Sequence, residues 1–72
     1  MITLEEAIEI VEELLAPGGL NKVQELVFRQ SWEGQSYSEI AASSSYDPGY
    51  IKDVGSKLWR SLSEAFKDSL SL

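Results

Sequence analysis

Apolar residues return at three- and four-residue spacing in four separate stretches of this 72-residue chain, and each stretch opens on a side chain able to cap a helix. The first covers residues 3–16. Leu4, Ala7, Ile8, Val11, Leu14 and Leu15 form one stripe, and Glu5, Glu6, Glu9, Glu12 and Glu13 fall on the opposite arc. Thr3 with Glu6 makes a capping box, and Pro17-Gly18-Gly19 turns the chain. The second stretch, 21–32, begins with a weaker box, Asn21 with Gln24. Val23, Leu26 and Val27 point inward, Leu20 enters from the turn, and Phe28 and Trp32 widen the apolar zone. Gly34 is its stop signal.

The third stretch, 36–44, carries the box Ser36 with Glu39 and an inner face of Tyr37, Ile40 and Ala41. Ala41 is small where two helices are expected to cross closely. Serines 43–45 compete for backbone hydrogen bonds, so the helix should fray there. Tyr46 is expected to drop its ring from the turn into the core. The fourth stretch, 47–66, opens with Asp47 as N-cap and Pro48 at the first helical position. Ile51, Val54, Leu58, Leu62 and Ala65 or Phe66 keep the helical period, while Lys67 to Leu72 lose it and should fray. Gly55 sits near the buried edge of this helix, at a cost of about 1 kcal/mol relative to alanine; close approach of the third helix is the expected compensation.

A short helix, a tight turn and a longer helix make a helix-turn-helix, with the second helix in the recognition position. The expected fold is all-α: one four-helix domain over residues 1–72, in which the last three helices form the trihelical unit. An acidic amphipathic helix is added at the N-terminus and packs its Leu4–Leu15 stripe across the others.

Composition then narrows the chemistry. The 43% hydrophobic and 25% charged fractions are those of a folded globular chain. With no cysteine and no histidine, the commonest nucleophile, general base and metal ligands are missing, so neither an enzyme nor a metal or cofactor site is expected. No apolar run reaches the ~18 residues of a membrane span, and the N-terminus lacks the order of a signal peptide, so no membrane partner is expected and cytoplasmic location is the default.

Net charge is −6, which opposes binding to nucleic acid. The charge is polarised, however: without the five glutamates of the first helix, six bases stand against seven acids.

One constellation remains. The outward arc of the fourth helix holds Gly49, Asp53, Ser56, Lys57 and Arg60, with Lys52 on its flank and Tyr50 near its start. Lys52, Lys57 and Arg60 can meet phosphates or guanine edges, Ser56 a phosphate or base, and Tyr50 the backbone. Asp53 disfavours phosphate unless it accepts from a cytosine amino group. Double-stranded DNA is one partner these residues suit; a solvated face is the plain alternative. Trp32 and Trp59 read either as an exposed patch for a protein partner or as rings bridging helices at the core rim, with each indole N–H on solvent or a carbonyl. The acidic first helix is likewise a solvated outer face or a dock for a basic partner.

The segment GQSYSEIAASSSYDPGYIKDVGSKLWRSL resembles the helix-turn-helix of LuxR-type response-regulator output domains and of region 4 of sigma factors. The resemblance implies that Tyr50, Lys52, Asp53, Ser56 and Lys57 lie at the DNA. Asp53 stands where a polar or basic residue is common there, and Val54 where histidine is frequent. Over nearly the whole chain, EEAIEIVEELL, the run from Leu20 to Ala41 and YDPGYIKDVGSKLWRSLSEAF are similar to the N-terminal helix-turn-helix of vWA-MoxR-associated proteins. That resemblance implies a regulatory module, a transcriptional or signalling role, and fusion to STAND-type NTPase, AAA-like or WD-repeat partners. The chain is then expected to be either a stand-alone relative or a piece of a longer protein, with a homodimer or a fused array supplying affinity.

Overall fold

A computed structural model describes residues 2–70, and the side chains of residues 2–68 within them. Four helices follow in order: α1 (Leu4–Leu14), α2 (Lys22–Trp32), α3 (Tyr37–Ser44) and α4 (Pro48–Leu70), with no strand among the described residues. The fold is all-α, as the apolar periods require.

Three capping boxes set the entries of α1, α2 and α3. In each, the N-cap side chain accepts from the third helical amide while the third side chain accepts from the N-cap amide: Thr3 with Glu6, Asn21 with Gln24, Ser36 with Glu39. Asp47 caps α4 differently. Its Oδ2 accepts from the amides of Gly49 at 2.9 Å and Tyr50 at 3.2 Å, and Pro48 follows at a position where its missing N–H costs nothing. At the end of α2 the Gly34 amide donates to Ser31 and the Gln35 amide to Gln30, both at 3.0 Å, with Gly34 at φ 88°. This paired bond is a Schellman cap, and the left-handed residue in it is a glycine.

Helix boundaries differ from the sequence expectation at two places. α1 ends at Leu14 rather than residue 16, because Pro17 bars the residue before it from helical conformation and Ala16 has left the helix. α4 continues to Leu70 although its apolar stripe stops at Ala65 and Phe66. No glycine or proline follows Gly55, so nothing breaks the backbone ladder where the packing runs out. The expected fraying from Lys67 onward does not occur through Leu70; residues 71 and 72 lie outside the described residues.

Ala7, Ile8, Val11, Val27, Phe28, Ile40, Ala41, Ile51 and Leu58 form the core, and Leu4, Leu15, Leu20, Val23, Leu26, Tyr37, Val54 and Leu62 pack around it. α2, α3 and α4 pack on one another, and α1 lies against α2 and α4. Arg29 fastens that last contact. Its Nη1 and Nη2 donate to the two carboxylate oxygens of Glu5 at 2.8 and 3.3 Å, while its Nε donates to Glu25 at 2.9 Å. The hydrogen bonds and charge of Arg29 hold the Glu5 carboxyl below its ordinary pKa, and the two carboxylates keep the guanidinium still more firmly protonated.

Candidate functional site

The turn between α3 and α4 is three residues long and pivots on Ser45, which takes a left-handed conformation at φ 66°. Glycine is usual at such a helix end. The hydroxyls of Ser43 and Ser44 donate back to the Ile40 carbonyl at 3.2 and 2.6 Å, so the serine run closes α3 by local hydrogen bonding. Beyond the turn, α4 crosses α3 at Gly55. A Cβ added there would lie 2.5 Å from Tyr37 Cε1, which is the close approach expected of a mid-helix glycine. Tyr37 Oη in turn accepts from Trp59 Nε1 at 2.8 Å.

With its buried side fixed by Ile51, Gly55 and Leu58, α4 turns the other side to solvent. Tyr50, Lys52, Asp53, Ser56, Lys57 and Arg60 are all exposed. They do not act as one patch. Lys57 Nζ lies 3.1 Å from Asp53 Oδ2, so one of the three cations is neutralised by the anion beside it. Lys52, Ser56 and Arg60 make no ion pair or side-chain hydrogen bond among the described residues.

At about 100° per residue, the exposed side divides lengthwise into two edges. Lys52, Ser56, Ser63 and Lys67 run along one edge beside Trp59, with Arg60 at the boundary. Asp53, Glu64 and Asp68 run along the other with Lys57. Ser63, Lys67 and Trp59 were absent from the sequence-derived set; their angular order on the helix was the available signal.

Tyr46 does not enter the core. It is 42% exposed, and its ring lies 5.6 Å from that of Tyr50, itself 46% exposed. The three-residue turn leaves no slack to carry Tyr46 inward, so the two phenols pair at the outer tip of α4 instead. The tryptophans sit at the core rim: Trp32 and Trp59 are 47% and 37% exposed, with centroids 6.2 and 5.9 Å from the Phe28 ring. The Trp59 N–H reaches a tyrosine hydroxyl rather than solvent or a carbonyl.

Residues 2–71 match the family model described as vWA-MoxR associated protein N-terminal HTH. The chain belongs to this family. No curated protein and no solved structure matches it. Membership of this N-terminal HTH family makes the chain a helix-turn-helix module, a kind of domain that engages nucleic acid or protein. In this member no described helix is long and apolar enough to cross a membrane.

Proposed function

We propose that this domain is a non-enzymatic, LuxR-like helix-turn-helix module of transcriptional or signalling regulation that lays α4 along the major groove of double-stranded DNA. The observation that carries the reading is the outer side of α4, entered from a capped turn and presenting Lys52, Ser56 and Arg60, which have no side-chain partner among the described residues. Tyr50 and its neighbour Tyr46 stand where the helix would meet the sugar–phosphate backbone. Lys57 joins them when Asp53 releases it, and an exposed pair of this kind is weak enough to open. Asp53 itself accepts a cytosine amino group or opposes phosphate.

The charge asymmetry fits this arrangement. Glu5 is clamped to Arg29, and the remaining glutamates of α1 face away from the bundle, so the strongest negative field is not on α4. Three cations cannot give one module high affinity, so a homodimer or a fused array supplies it.

Fluorescence anisotropy with a labelled 20-base-pair duplex, on the isolated domain and on a covalently linked dimer, tests the reading. Arg60→Glu should weaken binding to every duplex and lower the salt slope by about one or two. No binding at low salt by either form, or binding indifferent to Arg60→Glu, overturns it. The second reading, an adaptor that recruits a protein to a STAND-type or vWA-MoxR-associated signalling system, is favoured by the exposure of Trp32 and Trp59.

A further inference from the structure

Trp32 and Trp59 stand on different helices yet lean on one ring. Phe28 is buried between them, and the hydrogen bond from Trp59 Nε1 to Tyr37 Oη fixes the second indole in place. Tyr37 cannot drift inward without meeting α4, and it packs against the core cluster. The result is a pinned aromatic ledge that is still substantially open to solvent. Phe66, 56% exposed, follows Trp59 by seven residues and so continues the ledge about 10 Å farther along α4. Lys52 precedes Trp59 by the same interval. The edge of α4 bordering the ledge carries Lys52, Ser56, Ser63 and Lys67, and its carboxylates, Asp53, Glu64 and Asp68, lie on the opposite edge.

We propose that this ledge docks a short acidic peptide segment of a partner protein, with an aromatic or large aliphatic side chain seated against Trp32 and Trp59 and carboxylates facing Lys52 and Lys67. Size chooses this occupant over a second copy of the chain. The exposed parts of Trp32, Trp59 and Phe66 offer roughly 300 Å² of ring surface. A stable dimer needs about 800 Å² from each partner. A peptide needs less area, because a ledge already ordered by Phe28 and Tyr37 loses little freedom on binding. The acid-free edge selects a negative segment by charge complementarity. The inference rests on the second, protein-recruiting reading and not on the DNA reading; Lys52 serves both surfaces, so a bound peptide and a duplex would compete there.

The test is selection of a displayed library of random twelve-residue peptides on the intact chain, followed by tryptophan-fluorescence titration of the enriched sequences. Enriched peptides should combine an aromatic or large aliphatic residue with Asp or Glu. Trp32→Ala should weaken them roughly tenfold and Lys52→Glu at least several-fold, the sizes expected of an apolar anchor and a close charge pair. Lys57→Glu, on the other edge, should change affinity less than about twofold. Trp32→Ala removes a ring on the rim that touches Phe28, so far-UV circular dichroism should show the fold retained. Enrichment of basic peptides, enrichment of no common pattern, or binding unchanged in Trp32→Ala overturns the proposal. Duplex binding that depends on Trp32 in the absence of any enriched acidic peptide does the same and assigns the ledge to nucleic acid.

Discussion

Gly55→Ala measures how tightly α3 and α4 cross. In an open helix this change would stabilise the protein by about 1 kcal/mol, since glycine is the poorer helix former by that amount. Here the new methyl would lie 2.5 Å from Tyr37 Cε1 and 2.6 Å from both Cζ and Oη. The ring has to move by about an ångström to restore van der Waals contact, and overpacking of this kind costs about 1–3 kcal/mol. That movement also breaks the Tyr37–Trp59 hydrogen bond, worth about 1 kcal/mol. Set against the gain in propensity, the net loss is about 2 kcal/mol. A domain of this length is stable by roughly 4–10 kcal/mol, so the loss is a large fraction of the whole. Thermal unfolding followed by far-UV circular dichroism should show Tm lowered by about 8–16 °C. The decisive comparison is the same change in a Tyr37→Ala background. With the ring gone, Gly55→Ala should reverse sign and stabilise by about 1 kcal/mol. Stabilisation in the wild-type background, or equal effects in both, would refute the steric account.

Ser45→Gly relieves a left-handed residue at the C-terminus of α3 and should raise stability by about 0.5–1 kcal/mol, read as an upward shift in Tm. An unchanged or lower Tm would mean that Ser45 bears no strain. The Glu39 carboxyl is held below its ordinary pKa by its hydrogen bonds from the Ser36 amide and hydroxyl. Its folded pKa is lowered, so its contribution is complete above the unfolded value near 4.3 and is lost as pH falls through the folded value. Glu39→Gln keeps an acceptor for the cap and removes the titration, so acid unfolding of this variant should have a shallower limb below about pH 4.5, and identical limbs would contradict the assignment. Asp53→Asn frees Lys57 from its partner at 3.1 Å and should strengthen duplex binding several-fold at low salt with a steeper salt slope. An affinity that falls instead would make Asp53 a base-reading residue.

The parts of this fold that were legible in the sequence are those specified within four residues. Each capping box joins an N-cap to the residue three places on, and each apolar stripe repeats every turn, so both can be read without knowing where the chain goes next. Gly55 belongs here as well: a glycine on a buried helical edge implies a neighbour pressed against it. What was not legible was made by residues far apart in sequence. Glu5 and Arg29 are 24 residues apart, and Tyr37 and Trp59 are 22 apart, so no period connects either pair. Tyr46 illustrates the limit differently. Its apolar ring suggested the core, but the backbone conformation at Ser45 and the shortness of the turn direct it outward.

The candidate site has the same two levels. That Tyr50, Lys52, Asp53, Ser56, Lys57 and Arg60 face solvent follows from helical period alone. How they divide follows from side-chain geometry. Asp53 first reads as a flaw in the middle of a basic face. Paired with Lys57, and aligned with Glu64 and Asp68, it belongs instead to a separate acidic edge. The basic residues that remain run from Lys52 to Lys67 along the side that also holds Trp59, and that side is bounded by the Phe28 cluster. A net charge of −6 is therefore compatible with an anionic ligand. Arg29 holds Glu5 across the α1–α2 contact, α1 carries most of the surplus acid away from the bundle, and the acids of α4 are confined to one edge. At about 0.15 M salt the field of each group fades over about 8 Å, so a ligand on the Lys52 edge responds mainly to the charges beside it.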